Sequence, residues 1–217
     1  MPMKGIRFGA FHSYNDLRLI LSKKEMGSPA VKAQQVDIPG ADGNLDLTDF
    51  FGEPKYENVT HRFDFSTSYP QEEFISQYSR IKNMLHGMKK RVILDDDPLY
   101  FWIGRCHVSS FTSEKGIGTI SIECDCEPYK YKLDHTVMAY AVNGTQVITL
   151  TNARKRAVPE VTITTSTSLN IQYGSGLIWD LGPGSYTLPE LELKEGDNLV
   201  TVTGTGQIVF SWQEGEL

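Results

Sequence analysis

From residue 136 to residue 217 the chain carries only 4 basic and 8 acidic side chains. The rest is dominated by Thr, Gly, Leu, Ile and Val, in short runs separated by turn residues. That combination restricts the fold more than any other feature. β-branched residues lose rotamer freedom in a helix but pack well on a pleated surface. Alternation such as Ile208, Phe210, Trp212 has the period of a strand with one buried face. Strands are predicted at 146–151, 160–165, 168–173, 176–181, 185–188, 191–194, 198–203 and 207–212. Turn signals lie between them at Asn152, Gly174-Ser175-Gly176, Gly182-Pro183-Gly184, Gly196-Asp197-Asn198 and Gly204-Thr205-Gly206. Short strands at this spacing, with no helical stretch, predict an antiparallel β-sandwich.

The preceding residues differ. Residues 1–135 hold 17 basic and 19 acidic groups. The change in charge density places a domain boundary between 130 and 140, giving domains 1–133 and 134–217. Val59, His61, Phe63 and Phe65 alternate with Thr60, Arg62, Asp64 and Ser66. Ile120, Ile122, Cys124 and Cys126 alternate with Thr119, Ser121, Glu123 and Asp125. A strand over 100–111 joins the latter through a turn at Glu114-Lys115-Gly116, forming a hairpin. One helix is signalled over about 70–86. Ser68 and Gln71 have capping-box spacing, Pro70 suits the first turn, and Glu72 and Glu73 complement the dipole. Phe74, Tyr78, Ile81 and Leu85 form its apolar stripe, and Gly87 its stop. The fold class is therefore mainly β: an N-terminal α+β domain, an antiparallel β-sandwich or split barrel with one helix, followed by a C-terminal β-sandwich.

Composition excludes several function classes. With 217 residues and 40% hydrophobic side chains, the chain can bury a core and is not disordered as a whole. A net charge of −6 argues against binding nucleic acid through overall charge. No apolar run reaches the ~18–20 residues needed to span a bilayer. The N-terminus lacks a secretory signal pattern, and three cysteines cannot form a disulfide scaffold. The expected setting is soluble and reducing.

Candidate chemistry is sparse. Cys106, Cys124 and Cys126 come close together in the predicted hairpin. C-x-C on an apolar strand face converges poorly on zinc, so they read as small buried hydrophobes, with a metal site as the weaker alternative. Asp95-Asp96-Asp97 lacks the spacing of a calcium loop and reads as a solvated strand-end turn, with Asp97-Pro98 as the turn residues. The histidines at 12, 61, 86, 107 and 135 have no metal-ligand spacing, and there is no nucleophile elbow or phosphate-binding loop. No catalytic residue and no cofactor is expected. Trp179, Tyr173, Tyr186 and Trp212 are the only aromatic candidates for stacking on sugar, and most of them read as core. The basic run Arg154-Lys155-Arg156 reads as a solvated loop or as a docking patch for an acidic partner. Ile38-Pro39-Gly40 with Asp42-Gly43 forms a tight loop, a surface turn or a contact for a neighbouring subunit.

Several stretches carry a resemblance. They are His12–Leu21, beginning His-Ser-Tyr-Asn-Asp-Leu, Ile38-Pro-Gly-Ala-Asp-Gly-Asn-Leu-Asp-Leu-Thr48, Leu85-His-Gly87, Leu94-Asp-Asp-Asp-Pro-Leu-Tyr-Phe-Trp-Ile-Gly-Arg105, Cys126-Glu-Pro-Tyr-Lys-Tyr131, Leu193-Lys-Glu-Gly-Asp-Asn-Leu199 and Gly206-Gln-Ile-Val-Phe-Ser-Trp212. In order and spacing they resemble the distal tail (Dit) protein family of long, non-contractile-tailed phages of Gram-positive bacteria. The resemblance implies a structural role: a homo-hexameric ring of N-terminal domains around a channel that DNA crosses, with galectin-like C-terminal domains projecting outward. Implied partners are the tail tube protein, a tail-associated lysin or fibre protein and, in some phages, a receptor-binding protein. The implied location is the virion tail tip, after assembly in the cytoplasm of the bacterial host. Ile38, Pro39, Gly40, Asp42, Gly43, Arg154, Lys155 and Arg156 are the candidate interface residues. The alternative from the sandwich alone is a carbohydrate-binding module for host attachment. A ring lumen without net positive charge is expected, since basic walls would hold phosphates.

Overall fold

The computed structural model describes residues 4–50, 52–67, 69–114, 116–164, 167–174 and 176–217. The chain divides into two compact units, residues 4–130 with Leu217, and residues 131–216.

In the first unit the strands are β1 (Ile6–Phe8), β2 (Phe11–His12), β3 (Leu19–Glu25), β4 (Gln35–Asp37), β5 (Asn44–Asp46), β6 (Val59–Thr67), β7 (Lys89–Leu94), β8 (Asp97–Glu114) and β9 (Ile117–Cys126), with α1 (Phe74–Leu85) between β6 and β7. The main sheet runs β2-β1-β7-β8-β9-β6-β3, and every pairing along it is antiparallel. The sheet curls strongly. Four strand spacings separate β1 from β6, about 19 Å in a flat sheet. Yet the Phe8 ring meets Phe63 and Phe65 edge-on at 6.1 and 6.3 Å. This half-barrel realises the split-barrel form. Ile81 and Leu85 of α1 close it, sharing one apolar cluster with Phe63, Phe65, Ile120 and Ile122.

The helix begins later than the sequence suggests. Residues Gln71–Glu73 form a single 3-10 turn, and the α-helix starts at Phe74. Gln71 O accepts from Phe74 N–H where the 3-10 turn passes into the helix. Ser68 lies outside the described residues. Gly87 ends the segment with φ +78°, where a side chain would be strained.

The second unit contains β11 (Thr136–Asn152), β12 (Glu160–Ile163), β13 (Leu169–Tyr173), β14 (Leu177–Leu181), β15 (Gly184–Thr187) and β16 (Gly196–Trp212). Two short strands flank them, β10 (Lys130–Lys132) and β17 (Gly215–Glu216), which pair with each other. Two sequence expectations are corrected here. The Gly204-Thr205-Gly206 segment is not a turn between strands but the middle of the 17-residue β16. Residues 191–194 form no strand; Leu193 makes only an isolated bridge to Ala157.

β16 pairs with β11 over its whole length. Its first half also pairs with β13 through residues 200–203, its second with β12 through residues 208–211. Gly144 and Gly204 are register partners with φ of +84° and +139°. Both strands bend there, because only glycine takes such angles without steric cost. Side chains from both halves, including Val200, Val202, Ile208, Phe210 and Trp212, join one apolar cluster. The sandwich is therefore one sheet folded over at a pair of glycines.

Candidate functional site

The segment between β3 and β6 is the largest part of the chain without a core. From Ser22 to Asn58 no described residue is buried. The segment is nonetheless regular. Lys32 N–H donates to Lys55 O at 2.7 Å, Glu57 N–H donates to Ala30 O at 2.8 Å, and β4 pairs with β5. It is a two-stranded arm. Asp46 accepts from Thr48, and those hydrogen bonds hold its carboxyl below the ordinary carboxylate value. Val36 and Leu45 are register partners, each 47% exposed, and Ile38 is 43% exposed. An isolated two-stranded hairpin is marginal in water. Its aliphatic side chains Val36, Ile38 and Leu45 are displayed at the surface. The loop between β4 and β5 carries Ile38, Pro39, Gly40, Asp42 and Gly43, with Gly40 and Gly43 at φ +86° and +75°. Five of the predicted interface residues thus occupy the tip of this arm.

The other three sit in the second unit and form no free cationic patch. Arg154 pairs with Glu195 at 3.0 Å and Arg156 with Glu192 at 2.8 Å. The Lys155 ammonium lies 5.2 Å from the Tyr131 ring centroid. Lys155 and Arg156 also line an open cleft with His135, Glu160, Thr187 and Ser211.

The sugar-stacking candidates are engaged internally. Trp212 is buried, and its Nε1–H donates to Asn152 Oδ1 at 3.0 Å. Tyr173 donates to Glu192 O at 2.9 Å, and Tyr186 to Gly182 O at 3.1 Å. Trp179 packs on the core.

The cysteines converge as expected. Cys106 and Cys124 are register partners with sulfurs 3.3 Å apart, and all three thiols belong to the core of the first unit. The hydrogen bond from Cys124 to Cys106 keeps the Cys124 proton in place, and burial adds to this. Burial pushes Cys126 up to about 12. Cys124 and Cys126 are thereby held as protonated packing groups, while the hydrogen bond from Cys124 lowers the Cys106 pKa. No group of three or more His, Cys, Asp or Glu residues arranged for a metal occurs among the described residues.

The aspartate run is not simply solvated, which corrects the sequence reading. Asp95 Oδ2 accepts from Gly5 N–H at 2.7 Å and lies 3.0 Å from His12 Nε2. Asp96 pairs with Lys24, and Asp97 with Lys130 at 2.9 Å. Pro98 lies inside β8, not in the turn.

One cavity had no counterpart among the sequence candidates. It has a volume of about 580 Å³ in the first unit, with walls that include Met26, Pro29, Val59, Leu94, Trp102 and Pro128. His61 lines it and is 2% exposed. Gly27 N–H donates to His61 Nδ1 at 3.2 Å, while His61 Nε2 is buried without a hydrogen-bond partner. The only hint in the sequence was a histidine on an otherwise apolar strand face.

With the geometry in place, the chain can be compared with known proteins. No family model and no curated protein matches it. Among solved structures, SPP1 Dit (gp 19.1), described as a paradigm of the hub adsorption apparatus in phages infecting Gram-positive bacteria, covers 99% of this chain over 99% of its own, with a TM-score of 0.73 at 12% identity. This chain has the fold of SPP1 Dit. A structure of the phage P2 baseplate in its activated conformation with Ca covers 99% of the chain over 98% of its own, with a TM-score of 0.50 at 8% identity. The Dit fold thus extends over both units, mainly β throughout with a single short α-helix among the described residues.

Proposed function

We propose that this protein is a distal tail protein, the structural hub at the tail tip of a long, non-contractile-tailed phage or prophage. The observation that carries the reading is fold correspondence with SPP1 Dit over 99% of both chains. A shared sandwich alone would match over one unit. The arm supports the same reading, because its exposed aliphatic side chains call for a protein partner. In this reading first units assemble as a homo-hexameric ring whose arms meet neighbouring copies. The ring joins the tail tube protein to the lysin or fibre protein, and DNA passes through it. The second units face outward, where a receptor-binding protein docks in some phages. The role is structural, not catalytic, and the site of action is the virion.

Negative-stain electron microscopy and light scattering of the purified full chain test this. Ring particles of hexameric mass are the expected result. A monomer at every accessible concentration, alone and with the tail tube protein, would overturn the assembly. The carbohydrate-module reading lacks a supporting observation, since Trp212, Tyr173 and Tyr186 are tied into internal hydrogen bonds.

A further inference from the structure

The second unit leaves one long sheet edge open. β16 is lined by β11 on one side and by β13 and β12 on the other. Among the described residues no strand pairs with the far side of β11, so all 17 of its residues lie on an edge. In an antiparallel pair every second residue turns its N–H and C=O away from the partner strand. At this edge the Tyr140 hydroxyl reaches Thr149 O only at 3.5 Å, longer than an ordinary O–H···O bond. Native proteins blunt open edges with charge, proline or shortness. The other edges of this chain obey that rule. β3 carries Lys23, Lys24 and Glu25, β14 has five residues with Asp180 among them, β15 has four and β2 has two. β11 contains neither a charged residue nor a proline. The bend at Gly144 divides it, yet each half, 136–143 and 145–152, is still longer than β14. The half from 145 to 152 is also the more apolar on its solvent face: Val147 is 64% exposed, and Leu199, the register partner of Thr149, is 60% exposed. Uncharged, β-branched edges of this kind recruit further strands.

The edge also states what fits it. A row of alternating N–H and C=O groups is matched by an extended backbone. A phosphate-bearing or acidic partner finds no cation on β11, and residues 136–217 already carry 8 acidic against 4 basic side chains. A second copy of this chain fits poorly, an argument that rests on the ring proposed above. β11 against β11 is a two-fold contact, whereas neighbours around a closed ring meet head to tail. A head-to-tail contact would need another open edge, and the others are charged or short. We propose that the β11 edge along residues 145–152 receives an extended, uncharged segment of a different tail polypeptide, rich in Thr and aliphatic residues. The segment adds as a further strand. Backbone hydrogen bonds supply the pairing, and Val147 and Leu199 supply apolar contact on the solvent face.

Hydrogen exchange of the full-length protein, resolved by residue with mass spectrometry, tests this. The probe is an alternating Thr/Val hexapeptide, blocked at both ends. It is N-methylated at every second residue, so it keeps one bonding edge and cannot stack on itself. Without probe, exchange along 145–152 should alternate, slow where N–H faces β16 and fast where it faces outward. With probe the fast set should slow by roughly tenfold at about nine-tenths occupancy. The same peptide methylated at every residue keeps its side chains but has no donor, and should give no protection. Light scattering on the same sample reports the ring separately, so loss of the ring and loss of strand addition are told apart. The proposal is overturned if the outward amides stay fast at millimolar probe, if the fully methylated peptide protects them equally, or if they slow with protein concentration alone, which would make the occupant a second copy.

Discussion

Single residues in this protein act mainly through the protons they hold or share. Asp95 is the clearest case. One carboxylate oxygen takes both the Gly5 N–H and the His12 ring, and His12 is itself buried. Asp95→Ala leaves two donors unpaired and should cost about 1–3 kcal/mol. Asp95→Asn, which retains an acceptor, should cost less; urea denaturation of both variants checks the order. Cys126 supplies a pH test. Its ordinary thiol value is 9.0, and burial raises it to about 12. The unfolded chain therefore releases this proton first, so the folded state binds more protons between pH 9 and 12. The stabilisation is complete below pH 9 and declines as pH rises through that window, with a limiting slope of about 1.4 kcal/mol per pH unit. Cys126→Ala lacks this term. The stability gap between wild type and variant, from denaturation midpoints at pH 8 and pH 10.5, should shrink at the higher pH.

At the scale of elements, what could be read beforehand depended on whether a local signal was also the tertiary one. β9 and β6 alternate cleanly because each has one face on the core, and their burial follows the sequence. The helix stripe was legible for the same reason. β3 was not, since it is an edge strand: from Ser22 on its side chains face solvent, and Lys23, Lys24 and Glu25 erase the alternation. Gly204 and Gly206 predict a turn because glycine usually marks one. Here a long paired strand on the β11 side overrides the local preference and turns the break into a bend. That bend is testable. Gly204→Ala must take φ near +139° with its Cβ 2.7 Å from Leu169. It should cost on the order of 1–3 kcal/mol from backbone conformation alone. Gly182→Ala, whose Cβ meets nothing within 4 Å, should be near neutral. Thermal unfolding followed by near-UV circular dichroism separates the two. Asn198 likewise does more than mark a turn. Its amide donates to Leu150, Lys194 and Gly196 carbonyls and accepts from Lys194 N–H and Tyr173. No sequence signal distinguishes such a network from an ordinary Asn in a loop.

For the whole molecule the decisive feature is an imbalance between order and burial. Two units each have a complete apolar cluster, yet the arm between β3 and β6 has paired strands and no buried residue among those described. The sequence indicated only a tight loop at its tip, because Val36, Ile38 and Leu45 look like any short strand until their partners are known to be missing. If the arm is what joins neighbouring copies, replacing its aliphatic side chains should leave the fold intact and remove the assembly. Ile38→Asp together with Leu45→Asp alters only exposed positions, where substitutions usually change stability by less than about 0.5 kcal/mol. In an assembled ring the same change buries carboxylates without partners, a cost of several kcal/mol at each interface. Repetition around a closed ring multiplies that cost, so the double variant should run as a folded monomer with an unchanged melting temperature where wild type runs as the ring. Analytical ultracentrifugation of both proteins reads the outcome. A ring that persists in the variant would place the interface elsewhere on the first unit and leave the aliphatic side chains of the arm for a different tail protein.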